Sequence, residues 1–416
     1  MKTANVSKRG DRRMLVLVAA FLGWMFDGFE MGIFPLIARP ALMEMQPAGG
    51  VSDTYVGQWM GIITAMFLVG AACGGLVFGW LGDRIGRVRA MSMAILCYSL
   101  FTGLAYFAQT PWHLGILRFI AALGMGGEWS LGVALVMEVW PEKNRPLLAG
   151  IIGAAANVGF ALVGLLGLFF PVTSESWRWV MVVGAAPALL TFFIRLFVPE
   201  SERWLEAQKQ QPSEPLHEVL KSPWLGRTLL ASVLASVALI GSWGSVQWLP
   251  LWADQMVGAA DPGAKAMTQL LTAVGSILGC LMGSMMGQWL NRRSAYFLLC
   301  LGSLIVCAWL FRFVDTYGLQ FLVLTFSVGT LTAAFYGWLP LYLPELFPTR
   351  MRATAQGIAF NTGRILAAAA AIQMGTLMRI FDGSYARAGA IITLVYIVGM
   401  VMIRFVPETK GKPLPE

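Results

Sequence analysis

Charge is what this sequence has least of. Of 416 residues only 12% are Asp, Glu, Lys or Arg, about half the share of an ordinary soluble domain. Hydrophobic residues make up 57%, and the mean hydropathy is +0.68. That excludes a water-soluble surface and makes lipid the bulk solvent. Histidine is scarcer still. The only two, His113 and His217, are placed in connecting segments, which excludes a histidine-rich zinc site or a buried imidazole relay. Any proton carrier inside the membrane is then a carboxylate. The five cysteines, Cys73, Cys97, Cys280, Cys300 and Cys307, all fall in apolar runs. They read as free thiols at helix contacts, with no disulfide or metal framework. Walker sequences, nucleophile elbows and His-centred sites are also missing, so ATP-driven pumping and hydrolysis lack their parts. The expectation is a protein that is not an enzyme and takes no cofactor or metal. No cleavable signal is expected either, because Lys8, Arg9, Arg12 and Arg13 lead straight into a full-length apolar run. The net charge of +8 does not indicate nucleic acid, because the basic residues sit in short clusters between those runs.

What is present is a series of about twelve runs long enough to cross a bilayer, each near the roughly 20 residues required. They cover 14–37, 57–80, 88–108, 112–138, 146–170, 177–197, 227–252, 264–288, 294–313, 318–346, 351–380 and 384–405. Segment 198–226, rich in Gln, Glu, Pro and Lys, divides the chain near its middle. It is a plain linker or, through Leu205, Val219 and Leu220, a surface helix. The fold expected is an all-α membrane protein of twelve transmembrane helices, a six-helix bundle over 1–197, a cytoplasmic linker and a second bundle over 227–416. Lys and Arg crowd the N-terminal tail and every second connection. The opposite connections hold only Arg39, Arg178, Lys265, Arg312, Arg379 and Arg387. This asymmetry predicts cytoplasmic termini, in a plasma membrane of the bacterial inner-membrane type. Trp112, Trp177, Trp179, Trp224 and Trp252 are expected at the membrane interfaces.

The two halves repeat. Glu138, Pro141, Arg145 and Gly150 recur as Glu345, Pro348, Arg352 and Gly357, each 207 residues later. Gly79 and Arg84 recur as Gly287 and Arg292, with Asn291 standing for Asp83, and the Phe-Val-Pro-Glu of 197–200 recurs at 405–408. Six helices per half is an even number, so both halves have the same orientation about an axis along the membrane normal. A solute site is then expected at mid-depth between them. Gly275, Gly279, Gly283 and Gly287 line one helix face and predict close packing there.

An ionisable group inside a span costs at least about 2.5–3.5 kcal/mol on insertion scales, so each one needs a reason. Asp27 and Glu30 lie three residues apart on one helix face and are candidates for proton coupling. Arg118 enters from the opposite side to about the depth of Glu30. It is a candidate solute contact, or the partner of a carboxylate in a structural ion pair. Arg364 lies near mid-membrane with no acidic residue nearby in its own helix. It fits a solute carboxylate through two hydrogen bonds; the alternative is Asp27 or backbone carbonyls. Asn361, Gln247, Tyr336 and Asn157 are further candidate solute contacts. Trp243, Trp248, Trp338 and Tyr342 are expected to complete an amphipathic wall. Glu128, among Gly124, Gly126 and Gly127, reads as structural or gating. Asp83, Arg84, Arg87, Glu138, Arg145, Glu200, Glu345, Arg352 and Glu408 cluster at cytoplasmic helix ends and are candidates for a latch between the halves.

The stretch Gly79-Trp-Leu-Gly-Asp83-Arg84-Ile-Gly-Arg87 resembles the major facilitator superfamily's loop between its second and third helices, and the resemblance extends over essentially the whole chain. Asp27-Gly-Phe-Glu30 and Arg118-Phe-Ile…Gly124-Met-Gly-Gly-Glu128-Trp129 look like the proton-coupled organic-acid symporters, carriers of sialate, lactate, aromatic acids and other metabolites. Aromatic-acid carriers often have a second Asp where Glu30 stands. Pro199-Glu-Ser-Glu-Arg-Trp204 and Pro407-Glu-Thr-Lys-Gly411 look like the half-ends of sugar porters. The resemblance implies proton-coupled symport of a small organic anion, with a neutral sugar or polyol as the alternative. The partners expected are a small-molecule solute, a proton and the lipid bilayer, with no nucleic acid and no obligatory protein partner.

Overall fold

The computed structural model describes residues 2–46, 52–85, 87–140, 145–196, 219, 221–222, 224–348 and 352–412. Among them the regular structure is helical throughout. The helices are α1 (Lys2–Glu44), α2 (Asp53–Ile85), α3 (Arg87–Leu104), α4 (Pro111–Val139), α5 (Arg145–Phe169), α6 (Trp177–Leu196), α7 (Trp224–Gly244), α8 (Leu249–Val257), α9 (Ala264–Trp289), α10 (Arg292–Phe313), α11 (Leu319–Tyr342), α12 (Arg352–Ile380), α13 (Tyr385–Ile392) and α14 (Val395–Met402). Nine stretches of the described residues are long and apolar enough to cross a membrane. Large apolar side chains such as Leu76, Leu100, Ile305 and Val401 stand exposed around them. Only a lipid solvent makes that surface favourable.

Two boundaries and the placement of one residue differ from the sequence reading. Helix α1 runs past Pro35 and Pro40 to Glu44, so Arg39 is a helical residue. The run 227–252 is broken at Ser245, whose backbone leaves the helical region, and resumes as a short 3₁₀ turn and α8. The first turn of α4 takes in His113, whose backbone N–H donates to Oγ1 of Thr110 at the helix N-cap. The linker reading, including Leu205, Leu220 and His217, falls almost wholly outside the described residues.

The glycine stripe of α9 packs on α11 as expected. A Cβ at Gly275, Gly279 or Gly283 would run into the carbonyls of Phe326, Thr330 and Ala334, so only glycine allows this approach. Across the chain's two halves, α2 lies on α12 and α5 on α9. The repeat offset carries α2 onto α9 and α5 onto α12, so each of these contacts is the image of the other. The cysteines are free: Cys280, Cys300 and Cys307 are buried and Cys73 is exposed. Of the tryptophans expected at interfaces, Trp112 and Trp179 are exposed, but Trp177 and Trp252 are core. Trp177 donates to Glu44 at 2.5 Å, and Trp252 stacks on Phe311. Each ring found a protein partner whose place the sequence does not reveal.

Candidate functional site

The site starts at α1. A Cβ at Gly28 would meet the backbone of Ala156, and one at Gly159 the backbone of Met25. Glycine at both positions therefore seats α1 directly on α5. Asp27 and Glu30, on either side of Gly28, are completely buried. Oε1 of Glu30 accepts from Nη1 of Arg118 at 2.9 Å and from Oγ1 of Thr102 at 3.0 Å. Oε2 of Glu30 has no hydrogen-bond partner among the described residues. The Arg118 guanidinium lies 4.6 Å from the ring centre of Phe34 and 5.1 Å from that of Phe67. Such aromatic faces attract a cation that has left water. The ion pair open in the sequence reading therefore exists, linking α1 to α4 with Thr102 of α3 as a second donor.

Arg364 is 9% exposed and is held across the two halves of the chain. Its Nη1 donates to the carbonyl of Ala71 on α2 at 3.3 Å and to Oδ1 of Asn361 at 3.2 Å. Its guanidinium lies 5.1 Å from the Phe360 ring centre, and Asp27 is within electrostatic range. The sequence reading left the guanidinium to a solute carboxylate or, as the alternative, to Asp27 or backbone carbonyls. The structure gives it a backbone carbonyl and a side-chain amide, both neutral. Arg364 lies twelve residues into α12, about 18 Å from its start at 1.5 Å per residue. One turn of α2 serves both arginines, Phe67 beside Arg118 and Ala71 beside Arg364.

The wall from α7 and α11 is only half realised. Trp243, Gln247 and Tyr336 are half-buried. Trp243 packs on Phe67 with ring centres 5.5 Å apart, and the Tyr336 hydroxyl shares a 2.5 Å hydrogen bond with Ser242. Trp248, Trp338 and Tyr342 are instead buried in the core. Trp338 leans on Tyr296, and the Tyr342 hydroxyl donates to the carbonyl of Pro407. Trp338 and Tyr342 are four residues apart on one face of α11, whereas Tyr336 is two residues from Trp338 and therefore faces elsewhere. Asn157 of α5 reaches across the halves, donating to Sγ of Cys280 at 3.5 Å. Glu128 is buried beside Gly124 and Gly126, where a Cβ would strike the carbonyls of Ala94 and Ala71.

Of the residues expected to latch the halves, Glu345 and Glu408 are fully described. Glu345 takes a two-pronged contact from Arg292, Nε at 2.9 Å and Nη2 at 2.7 Å, and a bond from Thr409 at 2.5 Å. Glu408 accepts the backbone N–H groups of Arg292, Arg293, Thr409 and Lys410. Partial burial works to raise its proton affinity, but these four donors outweigh it and hold the carboxyl below the ordinary range. All these bonds stay within the second half. They tie α10, the end of α11 and the C-terminal segment together, where the sequence suggested a bond between halves. The side chains of Asp83, Arg84, Arg87, Glu138, Arg145 and Arg352, and the whole of Glu200, lie outside the described residues.

Sequence reasoning missed one cluster, at the opposite end of the bundle where α1 ends and α2 begins. Arg39 donates through Nε to Asp53 at 3.0 Å and through Nη1 to Asp254 of α8 at 3.0 Å. Lys265 of α9 lies 3.5 Å from the other oxygen of Asp254 and donates to the carbonyl of Val172 at 2.8 Å. Below it, Gln269 donates to the carbonyl of Gly32 at 2.9 Å. Arg39 and Lys265 were in plain sight as the few cations of the sparsely charged connections.

Comparison with known proteins places this architecture. An inner membrane metabolite transport protein of Escherichia coli is 30% identical over 93% of this chain and 90% of its own length. A cis,cis-muconate transport protein of Acinetobacter baylyi is 28% identical over 96% and 95%. Among solved structures, the xylose transporter of E. coli in a partially occluded inward open conformation superposes with a TM-score of 0.77. It is 18% identical and covers 97% of this chain and 100% of that one, a likeness of fold. Residues 14–372 match the profile of the Major Facilitator Superfamily, and the chain belongs to that superfamily.

Proposed function

We propose that the chain is a proton-coupled secondary transporter of a small organic anion. It works by alternating access in a bacterial inner membrane, with both termini cytoplasmic. Twelve spans form two six-helix halves, 1–197 and 227–416, joined by 198–226. The observation that carries the reading is Arg364: a buried guanidinium at the seam of the halves, at mid-depth, whose described hydrogen bonds go to neutral acceptors. A solute carboxylate is a better acceptor than either, because a charge-assisted pair is about twice as strong as a neutral one. The relatives that transport cis,cis-muconate and other metabolites support an organic acid over a sugar. Asn361, Tyr336, Gln247 and Asn157 supply polar contacts around the solute, and the half-buried ring of Trp243 packs along its apolar part.

Arg118 holds Glu30 in this reading rather than gripping solute, since its guanidinium is already committed. Asp27, on the same face of α1, is the carboxylate within electrostatic range of Arg364. A solute carboxylate on Arg364 withdraws some of that positive field from Asp27 and raises its affinity for a proton, so solute and proton bind together. Uptake into proteoliposomes tests this, with lactate, sialate, muconate, aromatic acids and hexoses offered with and without an inward-directed proton gradient. Gradient-stimulated uptake of a carboxylate is expected. Uptake of a hexose with no carboxylate accepted would overturn the anion reading in favour of a sugar porter.

A further inference from the structure

The charged cluster at the Glu44 end of the bundle has a specific wiring. Arg39 and Asp53 both belong to the first half, at the end of α1 and the start of α2, and lie 3.0 Å apart. Asp254 and Lys265 both belong to the second half, on α8 and at the start of α9, and lie 3.5 Å apart. One charged contact crosses between them, Arg39 to Asp254 at 3.0 Å. The four side chains are 24% exposed or less, and Lys265 is 7% exposed. A charge left without a partner here is costly.

We propose that Arg39, Asp53, Asp254 and Lys265 form a gate between the halves that opens by dividing into two neutral pairs, Arg39–Asp53 and Asp254–Lys265. When the halves part, Arg39–Asp254 is the one charged contact of the four that breaks. The neutral contacts of Lys265 with the Val172 carbonyl and of Gln269 with the Gly32 carbonyl break with it. Each half carries away equal numbers of positive and negative charges, already paired. No isolated ion is exposed to a partly dehydrated cleft, so the gate closes firmly and still opens in every cycle. A clasp built only of pairs across the seam would leave an unpartnered ion on each side at every opening. Asp254 is the hinge of the arrangement, because it alone is shared by the cation of its own half and the cation of the other.

This rests on the alternating-access reading above and makes an asymmetric prediction. Asp53→Asn leaves Arg39 its cross-seam partner in the closed form and removes the only partner it keeps in the open form. The variant must therefore favour the closed form. Asp254→Asn removes the crossing contact and must favour the open form. A static clasp predicts loosening in both. The measurement is a spin-label distance between Glu175→Cys in the first half and Asp315→Cys in the second. Both positions are exposed and lie at this end of the molecule. The labelled protein carries Cys73→Ser, because Cys73 is the exposed native thiol, and is held in lipid nanodiscs. Asp53→Asn is expected to shrink the long-distance population by about fivefold or more, and Asp254→Asn to enlarge it by a similar factor. Asp53→Glu, which restores the charge, should return the distribution toward that of the unmodified gate, which separates loss of the pair from misfolding. Widening by Asp53→Asn, or no shift with either variant, overturns the proposal. If the opposite shifts occur while no organic anion is taken up, the gate stands and the solute reading fails.

Discussion

Arg118 donates to Glu30 across 2.9 Å while both side chains are withdrawn from solvent, 3% and 1% exposed. The pair ties α4 to α1 at the level of Asp27. Thr102 adds a third helix to the same carboxylate oxygen, and Phe34 and Phe67 cover the cation. Two ions this deep are stable only as a unit, because each is the other's main substitute for water.

Removing one member should therefore do more harm than removing both. Arg118→Met strands a buried carboxylate, and the loss of one partner of a buried pair costs on the order of 3–5 kcal/mol. Arg118→Met combined with Glu30→Gln leaves no net charge and should recover most of that loss, with transport still impaired. Thermal unfolding of purified protein in detergent, followed by tryptophan fluorescence, gives both values. Equal destabilisation by the single and double variants would show that packing of the arginine stem, and not charge, dominates.

Glu408 offers a test by pH. Its folded-state proton affinity lies below that of an unfolded carboxylate because four backbone N–H groups hold the charged form. Its contribution to stability is thus complete above the unfolded value, near 4.3. It is lost as pH falls through the lower folded value. Glu408→Gln should unfold at a lower temperature than the parent at neutral pH, and the difference should shrink as the pH is lowered toward about 3. A gap that stays constant down to that pH would mean that Glu408 acts through shape alone.

The pairing of Arg118 with Glu30 was legible because charges in apolar runs are few and helix geometry sets their depth. The α9 glycine stripe was legible for the same kind of reason, a strict four-residue period. Contacts whose partners lie far apart in the chain were not. Arg39 looked like a connecting residue because the first apolar run was bounded at 14–37, yet the helix continues through Pro35 and Pro40 to Glu44. Glu345 and Glu408 were seen as charges at helix ends. Nothing in their spacing says that Arg292 of the same half, rather than a cation across the seam, would take them. Trp338 and Tyr342 are four residues apart on one face of α11, while Tyr336 is two residues from Trp338 and faces elsewhere, so helix geometry already separated Tyr336 from the two rings that Tyr296 and the Pro407 carbonyl take up.

Arg364 and Asn361 should separate affinity from coupling. Arg364→Lys keeps the charge and loses the planar fork that meets a carboxylate with two parallel donors. A charge-assisted contact of that kind contributes on the order of 1.5–3 kcal/mol, so solute affinity should fall by roughly tenfold to a hundredfold. Coupling to the proton gradient should persist. Asn361→Ala removes the amide oxygen that positions the guanidinium 3.2 Å away and should give a smaller loss of the same kind. Equilibrium binding of the accepted anion to purified protein measures both. If Arg364→Lys binds every accepted anion as the parent does, Arg364 serves only to join α12 to Ala71.

Asp27→Asn should fail differently. Asp27 is fully buried on α1, one turn from Glu30, and the chain's two histidines lie elsewhere, at 113 and 217. Asparagine keeps the size and the hydrogen-bonding capacity of the side chain but cannot take or release a proton. Uptake driven by a proton gradient requires a group that is protonated on one side and deprotonated on the other, so it should vanish in this variant. Exchange of internal for external solute needs no net proton release and should survive at a rate within about tenfold of the parent. The same exchange should lose its dependence on pH across the range where the parent titrates. Glu30, already engaged by Arg118 and Thr102, is not expected to take over, because protonating it would leave the buried guanidinium without its counter-ion. Both transport modes are measured in one preparation of proteoliposomes, with orientation checked by protease access to the termini. Retention of gradient-driven uptake would move the coupling site to Glu30 or Glu128. Loss of exchange together with uptake would make Asp27 a structural member of the α1–α5 contact, seated there by Gly28 and Gly159.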